Sequence, residues 1–482
     1  MQPPPGFRSP LATMTSAVPC LLLCLLVLAP HLGSSYRTGS INGGKHVITR
    51  SSHESKKPST CSSNPSGDGN GLPVTHRLSP CSPSAAGLSQ SMPSVGDASS
   101  RDALRLRGLL DESADSPGLT IPSTGTPLVD LPDAPEYHVV IGLGTPAQNI
   151  TVGFDTATIG ATLLQCKPCA AGDPCDKVFN PSHSLSSTLY DIPCGRTWEG
   201  CPITRCTTPG CTFRVTHNGS LVFNATMEKD TLTVAPSVHV RGFRFLCMEM
   251  MSEVPTDGTS GVLDLSRNRY SLASQVSLSP DTVAFSYCLP RGAESQGFLS
   301  FGTTRPELAG RRVSYATLHS RSPRRNLYFL RLICVSIGGL ELPIPTESLA
   351  SDALIEVQTT FTYLQPRVYE DLREVFRFVM SGYKVAPSSG ELDTCYDFTG
   401  LNGVDVPTIT LSFEGGASLE LGFEQMMYFS DPHNIFSVAC LAFAPVPAYG
   451  SGVSVVGSLA QAYTEVVYDL RGGKVGFVDN RC

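Results

Sequence analysis

The sequence predicts an all-β protein made of two similar lobes, because of its composition, its strand pattern and an internal repeat. Gly (44) and Pro (38) are abundant and only 16% of the 482 residues are charged, which favours many short strands and turns over long helices. From Tyr137 onward, short β-rich runs are separated by Gly, Pro, Asn and Asp. In each half, one apolar strand ends at an acidic residue, Asp155 or Glu356.

The predicted elements follow one another at short intervals. We expect strands at residues 137–143, 149–155, 219–223, 231–234, 243–247, 283–289, 297–301, 327–337, 353–355, 408–413, 438–443, 453–456, 462–469 and 474–478. Residues 366–380 carry apolar side chains at helical spacing and predict the one helix of this region. An apolar pair follows each acidic turn, at 262–263 and at 455–456, so the two halves repeat one arrangement.

Residues 1–35 have the features of a secretory signal peptide. Arg8 precedes an apolar core at 17–30, and small residues at 33–35 supply a cleavage site. A membrane anchor is the alternative, but the apolar run is too short to span a bilayer. We therefore expect a secreted protein without a membrane anchor, in the extracellular space or cell wall, with the vacuole as a further destination.

Cysteine usage supports the same compartment. The chain has 17 Cys, which in an oxidising environment predict disulfides. Zinc or redox chemistry is the alternative for the Cys166-x-x-Cys169 pair, but no cluster of His accompanies it. We expect neither a metal site nor a cofactor. The odd count leaves one thiol, and Cys334, inside a continuous strand pattern, is the candidate.

Residues 36–130 are rich in Ser, Pro and Gly and predict a largely disordered segment. Two stretches, 71–77 and 100–110, differ from this low-complexity background. The second has apolar residues at helical spacing and a basic face. The segment is either a linker or a propeptide whose strand and helix cover the folded domain until it is removed. Its position between signal and domain favours a propeptide.

The whole chain has a net charge of −7 and no basic run, which argues against a nucleic-acid partner.

Ordered motifs along residues 137–482 carry a family resemblance. They read Gly-Leu-Gly-Thr-Pro at 142–146, Gln-Cys-Lys-Pro-Cys at 165–169, Ser-Leu-Ala-Ser-Gln at 271–275, Phe-Ser-Tyr-Cys-Leu at 285–289, Leu-Asp-Thr-Cys-Tyr-Asp-Phe at 392–398, Cys-Leu-Ala-Phe-Ala at 440–444, Val-Val-Tyr-Asp at 466–469 and Gly-Lys-Val-Gly-Phe at 473–477. The chain resembles the pepsin-like aspartic proteases, in the secreted plant branch of nepenthesin-like proteases and xylanase-inhibitor proteins. The resemblance implies β lobes at 137–310 and 327–482, a cleft between them, disulfides mostly within each lobe and a monomer.

The resemblance also assigns the catalytic residues. Such proteases need two carboxylates that share one proton and activate a water, each supplied by an Asp-Thr/Ser-Gly turn. The first turn keeps Asp155 as the carboxylate and Thr156 as the hydroxyl that bonds across the lobes, with Ala157 in place of Gly. Thr158 takes the place of the hydroxyl that orients the carboxylate.

The second turn departs from this pattern. Glu356 keeps a carboxylate with one extra methylene, Val357 lacks the cross-lobe hydroxyl, and Gln358 places a bulky side chain where the backbone passes closest. Thr359 follows as a supporting hydroxyl. A misplaced carboxylate costs on the order of a hundredfold in rate, so we expect impaired or absent proteolysis.

Other departures agree with a degraded site. The first apolar pair is followed by Asp264 where the family has Gly. The flap reads Thr-His-Asn-Gly-Ser, and Thr216 or His217 stands where its Tyr is expected. Glycosylation sequons begin at Asn149, Asn218 and Asn224. Sequons also occur by chance, but a glycan on Asn218 would hinder a polypeptide at the cleft mouth.

Two functional hypotheses follow, with a third that has less support. The first is a secreted aspartic endopeptidase acting on a polypeptide with weak or altered activity. The second is a non-catalytic binding or inhibitor protein on the same scaffold, similar to the xylanase inhibitors, with a secreted protein, peptide or glycan partner. The third, a structural wall protein, is supported by no short tandem repeat or low-complexity stretch in the folded region.

Overall fold

The structure is a computed structural model that describes most of the two expected lobes. The described residues are 45–49, 71–77, 79, 82, 93–110, 136–157, 161–166, 178–189, 212–217, 220–235, 238–250, 259–276, 282–291, 297–303, 310–321, 324–349, 351–431, 434–450 and 452–478. The expected signal peptide and most of the segment 36–130 lie outside the described residues.

Strands dominate the described chain. The first half contains β1 (Lys45–Thr49), β2 (Gly71–His76), β3 (Tyr137–Leu143), β4 (Gln148–Asp155), β5 (Leu163–Gln165), β6 (Thr188–Leu189), β7 (Thr212–His217), β8 (Ser220–Ala235), β9 (Val238–Met250), β10 (Gly261–Asp264), β11 (Phe285–Cys288), β12 (Gly297–Phe301) and β13 (Ser314–Thr317). The second half contains β14 (Phe329–Ile337), β15 (Leu340–Glu341), β16 (Ser351–Ile355), β17 (Thr362–Leu364), β18 (Val385–Ala386), β19 (Cys395–Asp397), β20 (Gly403–Pro407), β21 (Ile409–Phe413), β22 (Ser418–Leu421), β23 (Met427–Phe429), β24 (Val438–Leu441), β25 (Phe443–Pro445), β26 (Val453–Val456), β27 (Glu465–Asp469) and β28 (Lys474–Val478).

Helices are fewer and mostly short. They are α1 (Val95–Leu110), α2 (Leu272–Gln275), α3 (Thr346–Leu349), α4 (Pro366–Val379), α5 (Phe423–Met426) and α6 (Ser458–Gln461). Pro366 begins α4, a position that suits proline because the first helical N–H has no intrahelical partner. Val368, Leu372 and Phe376 face the core, as the apolar spacing predicted. None of the described helices is long and apolar enough to cross a bilayer.

Two main sheets build the lobes and confirm the predicted all-β, two-lobed fold. A fourteen-stranded sheet runs in the order β13-β28-β27-β11-β12-β2-β3-β4-β10-β5-β9-β8-β6, with β7 paired to β8. An eight-stranded sheet runs β22-β21-β14-β16-β26-β17-β25, with β15 on β14, and a four-stranded sheet runs β18-β19-β24-β23. The C-terminal strands β27 and β28 thus join the sheet of the first half. Phe285 of β11 stacks on Tyr468 of β27 with ring centroids 4.2 Å apart.

The internal repeat is visible in the pairing of the strands that carry the acidic turns. In the first half β4 lies parallel to β10, with Asp155 opposite Asp264. In the second half β16 lies parallel to β26, with Ile355 opposite Val456. Both predicted apolar pairs therefore lie beside the strand that delivers a carboxylate.

Some element boundaries differ from the sequence prediction. The strands expected at 219–223 and 231–234 are one long strand, β8, which twists through bulges against β9. The strand expected from residue 462 begins at Glu465, because Ser458–Gln461 forms the short helix α6. Strand β1 was not predicted; it pairs with β20 in a separate two-stranded sheet.

Both stretches that differ from the background of the segment 36–130 are folded. Strand β2 is inserted between β12 and β3, with Val74 opposite Gly297 and Thr75 opposite His138. Helix α1 is longer than the predicted 100–110, and its Leu106 and Leu109 are buried against the second lobe. These are the strand and helix expected of a propeptide. Removal of the segment stays a prediction.

Among the described residues, two disulfides join cysteines of the same lobe. Cys166 bonds to Cys247 in the first half, and Cys395 bonds to Cys440 in the second. Cys334 is buried in β14 and forms no disulfide with a described cysteine, as predicted. The cysteines from 169 to 211 and Cys482 lie outside the described residues.

Candidate active site

Asp155 is the last residue of strand β4 in the first lobe. Its side chain is fully buried, and its Oδ1 accepts a hydrogen bond from the backbone N–H of Ala157 at 2.8 Å. An amide donor favours the ionised carboxylate. The methyl group of Ala157, which replaces the family's Gly, is buried without preventing this contact. Thr158, the expected orienting hydroxyl, lies outside the described residues.

Glu356 follows β16 at the corresponding place in the second lobe and is also fully buried. Its Oε1 accepts the N–H of Gln358 at 2.9 Å, and its Oε2 accepts the N–H of Thr359. The extra methylene therefore leaves the carboxylate inside the turn, where two amides hold it. Gly457, which follows β26, lets the backbone after this turn pass close to it, because a Cβ there would lie 2.2 Å from the Phe361 carbonyl oxygen and 2.8 Å from that of Thr359.

Arg105 of helix α1 joins the two carboxylates. Its Nη2 donates to both oxygens of Asp155 and to Oε1 of Glu356, each at 2.7 Å. One nitrogen atom within hydrogen-bond reach of both side chains places their oxygens no further apart than about two hydrogen-bond lengths. The structure thus brings together the two predicted catalytic residues, and it adds a third group that the sequence analysis had noted only as part of a basic helix face.

Two carboxylates, Asp155 and Glu356, face the single positive charge of Arg105. Burial raises the pKa of Asp155 to about 6; Arg105 opposes this rise and the neighbouring Glu356 adds to it. Burial disfavours the charged guanidinium, but the two carboxylates more than offset that effect and raise the pKa of Arg105 above its ordinary value. A single positive charge offsets only one of the two carboxylates, and the pKa of Asp155 remains above its ordinary value.

The cross-lobe hydrogen bond comes from a residue that was not predicted to make it. Gln358 Nε2 donates to the backbone carbonyl oxygen of Phe154, 2.7 Å away in the first lobe. Thr156, expected to bond across the lobes, is buried, and its Oγ1 has no hydrogen-bond partner among the described residues. The bulky side chain of Gln358 thus makes the cross-lobe contact for which the sequence had nominated the hydroxyl of Thr156.

Gln461 fixes the backbone beneath Glu356. Its Nε2 donates to the carbonyl oxygen of Glu356 at 2.8 Å, and its Oε1 accepts the hydroxyl of Tyr287 at 2.5 Å. Tyr287 belongs to β11 of the large sheet, so this chain of contacts runs from the first half to the second acidic turn. The side-chain hydroxyl of Thr359 has no hydrogen-bond partner among the described residues, and its supporting contact comes from its backbone N–H instead.

Asp102, one helical turn before Arg105, provides a second polar contact with the cleft. Its carboxylate accepts the backbone N–H groups of Thr360 at 2.8 Å and Phe361 at 2.9 Å, and the hydroxyl of Tyr363 at 3.3 Å. Burial raises the pKa of Asp102 to about 7, and the two amide donors oppose that rise.

Glu136 anchors the same segment at the edge of the first lobe. Its carboxylate lies 3.3 Å from His76 Nε2 and 3.2 Å from Arg77 Nε, and it also accepts a hydrogen bond from Arg101. Burial alone would raise the pKa of Glu136, but Arg77 and Arg101 hold it well below its ordinary value. Sequence reasoning missed this cluster because its members lie in three separate stretches of chain.

Thr216, His217 and Asp264 lie in strands of the first lobe. Strand β7 pairs with β8, with His217 opposite Ser220, so Thr216 and His217 lie on the expected flap hairpin. Asp264 is fully buried, and its Oδ1 accepts the N–H of Ser266 at 2.7 Å, which places an acid where the family has Gly. No group of three His, Cys, Asp or Glu in the described part of the chain is arranged to hold a metal ion.

The predicted sequons differ in their placement. Asn149 is exposed at the start of β4, and Asn224 lies in β8 opposite Glu249 of β9. Asn218 lies outside the described residues. Glycosylation of all three stays a prediction.

Two β lobes that meet at a pair of buried carboxylates define the class of aspartic-protease-like proteins. The family model described as "Xylanase inhibitor N-terminal" matches residues 137–303, and "Xylanase inhibitor C-terminal" matches residues 327–479. The chain therefore belongs to the pepsin-like aspartic protease family, in the plant branch that includes the nepenthesin-like proteases and the xylanase-inhibitor-like proteins.

Curated relatives and solved structures agree with this assignment. Aspartyl protease AED1 of Arabidopsis thaliana is 34% identical, with 72% of each chain covered. Aspartic proteinase nepenthesin-1 of Nepenthes gracilis is 28% identical over 72% of this chain and 78% of its own. The crystal structure of conglutin gamma from lupine seeds has a TM-score of 0.55 at 19% identity, covering 72% of this chain and 93% of its own. At that identity the structural likeness shows the fold.

Proposed function

We propose that this chain is the precursor of a secreted aspartic-type endopeptidase, in which Asp155 and Glu356 hydrolyse a polypeptide slowly at acid pH. The observation that supports this proposal is the convergence of both carboxylates on one nitrogen of Arg105, at 2.7 Å each. Two carboxylates this close share a proton. One takes a proton from the attacking water while the other protonates the peptide carbonyl oxygen.

Slow hydrolysis follows from how the second carboxylate is held. Both oxygens of Glu356 accept backbone amides, from Gln358 and Thr359, so the side chain is fixed in the turn. The chain lacks the symmetric hydroxyls of an Asp-Thr-Gly pair, and Thr156 Oγ1 is without a hydrogen-bond partner among the described residues. A carboxylate displaced by about one ångström costs on the order of a hundredfold in rate.

The N-terminal segment keeps this site closed until it is removed. Helix α1 places Arg105 against both carboxylates and Asp102 against the amides of Thr360 and Phe361, so a substrate peptide has no access to the dyad. The signal peptide predicted at 1–35 directs the precursor to the secretory pathway.

The test is hydrolysis of an acid-denatured protein by the secreted, processed protein. We expect slow cleavage that Asp155→Ala abolishes while binding of the processed protein to the same substrate persists. Cleavage that is unchanged in Asp155→Ala would come from a contaminating protease and would contradict the proposal. The same assay over a range of pH is expected to show activity on the acid side, where the pair holds one proton.

A non-catalytic binding or inhibitor protein is the second candidate, and the Glu-Val-Gln turn with Asp264 favours it. The family models that match are described as xylanase inhibitors, which makes a secreted glycoside hydrolase a reasonable partner class. This candidate predicts no cleavage at any acid pH together with retention of a secreted enzyme in a pull-down.

A further inference from the structure

The cleft is shaped to accept a helix along its length. From Pro93, two residues before α1, to Ala103 within it, the second lobe contacts successive positions of the segment. Tyr428 donates its hydroxyl to the carbonyl of Pro93 at 2.8 Å, and Tyr449 donates to the carbonyl of Ala103 at 3.3 Å. Gly390 lies so close to the helix that a Cβ there would be 2.9 Å from Ser99 Oγ. An extended peptide would not meet these groups at the same spacing, because a strand rises more than twice as far per residue as a helix does.

Two charged positions on one helix face are recognised by opposite means. The carboxylate of Asp102 accepts hydrogen bonds from the N–H groups of Thr360 and Phe361. Arg105 donates hydrogen bonds to the carboxylates of Asp155 and Glu356. Residues three apart lie on the same side of a helix, so one ligand face presents both charges at once. The two contacts are asymmetric: amides face the acid and carboxylates face the base. An exchanged pair would place a carboxylate against carboxylates.

Apolar contacts complete the interface on the same face. Leu106, Leu109 and Leu110 are buried in a cluster that contains Phe361 and Tyr363 of the second lobe. The opposite face carries the exposed Leu104 and Arg107. The leucines of the helix therefore supply apolar area that favours binding, and Asp102 and Arg105 fix the position of the helix along the cleft.

We propose that the cleft is a binding site for a helix supplied by another polypeptide, one with Asp and Arg three residues apart followed by Leu at the adjacent turn. The two carboxylates that contact Arg105 lie at the ends of β4 and β16, strands of the two large sheets that form without any residue of 93–110. Segment 93–110 is the intramolecular example of this ligand. The proposal goes beyond hydrolysis and does not depend on it.

The experiment uses the full chain with Asp102→Ala and Arg105→Ala, so that its own helix lacks both charges. Labelled synthetic peptides of residues 93–110 are titrated at mildly alkaline pH and followed by fluorescence anisotropy. One peptide has the native sequence and the other has residues 102 and 105 exchanged, which keeps its composition and net charge. We expect the native peptide to bind at least about tenfold more tightly than the exchanged peptide. Equal affinities, or no binding by either peptide, would overturn the proposal.

A second measurement covers the case in which the double variant does not fold. Amide hydrogen exchange is measured at Thr360 and Phe361 in the wild-type full chain and in Asp102→Asn. We expect exchange at these two amides to accelerate by about tenfold or more in the variant, because a neutral amide accepts more weakly than a carboxylate. Unchanged exchange at both positions would show that the helix only covers the cleft and would contradict recognition of the acid.

Discussion

Gln358 donates a hydrogen bond from its side-chain amide to the backbone carbonyl oxygen of Phe154, and this 2.7 Å contact ties the second acidic turn to the strand that carries Asp155. The contact explains how a turn without a hydroxyl at Val357 still holds the two lobes in register. The missing hydroxyl at Val357 is thus offset by the reach of the next side chain.

Replacing Gln358 by Met keeps the side-chain length and removes the amide. We expect the free energy of unfolding to fall by about 1–3 kcal/mol, because the buried Phe154 carbonyl loses its donor. The matched control is Thr156→Val, which removes a buried hydroxyl that has no hydrogen-bond partner among the described residues and is expected to be neutral or stabilising. Chemical denaturation of the full chain measures both. A Gln358→Met protein as stable as wild type would show that the cross-lobe bond contributes nothing.

Arg105→Ala leaves two buried carboxylates without their shared cation. We expect a loss of about 3–5 kcal/mol in the free energy of unfolding at neutral pH, the usual result when one member of a buried ion pair is removed. Arg107→Ala is the control, because this exposed arginine on the same helix is expected to change stability by less than about 0.5 kcal/mol. If the two variants lose the same stability, the bridge between Asp155 and Glu356 does not stabilise the closed form.

The anchor at Glu136 predicts how stability depends on pH. The pKa of Glu136 is held well below 4.5 in the folded protein, so its contribution is present above about pH 4.5 and is lost as the pH falls through the folded-state pKa. We expect Glu136→Gln to lower the free energy of unfolding by about 3 kcal/mol at neutral pH. The difference from wild type should shrink steadily below about pH 4.5. A difference that stays constant down to strongly acid pH would rule out the ion cluster as its source.

Repairing the second turn tests whether it limits hydrolysis. The combined change Glu356→Asp, Val357→Ser and Gln358→Gly restores the family's Asp-Ser-Gly turn and supplies a new cross-lobe hydroxyl. We expect kcat of the processed protein to rise about tenfold or more with little change in KM, because the gain concerns the transition state. The same changes combined with Asp155→Ala should give no gain. Failure of the repaired turn to raise kcat would place the limiting defect elsewhere, for example at Asp264.

Much of the scaffold could be predicted because its signals are local. The strand periodicity and the repeated apolar pairs placed Asp155 and Glu356 at equivalent strand ends, and the parallel pairing of β4 with β10 and of β16 with β26 agrees. The boundaries that failed depend on tertiary context, such as the merged strand β8. Local propensity does not encode how far a strand continues once it has a partner.

The contacts that close the site depend on residues far apart in sequence. The basic face of 100–110 indicated a docking helix, but nothing in the pattern distinguished Arg105 from Arg101 or Arg107 as the group that meets the carboxylates. The reach of Gln358 to the Phe154 carbonyl likewise follows from how the lobes pack. Such long-range side-chain contacts carry no periodic signal, so the structure was needed to find them.

The most direct test of the proposed dyad concerns Glu356 itself. Glu356→Gln keeps the shape of the side chain and removes the carboxylate, and hydrolysis of an acid-denatured protein is measured on the processed protein beside wild type. If Glu356 is the second catalytic carboxylate, the variant is at least about a hundredfold slower, a loss in the range of the removal of a general acid or base. Hydrolysis at the wild-type rate in Glu356→Gln would contradict the account, because Asp155 would then act without this partner.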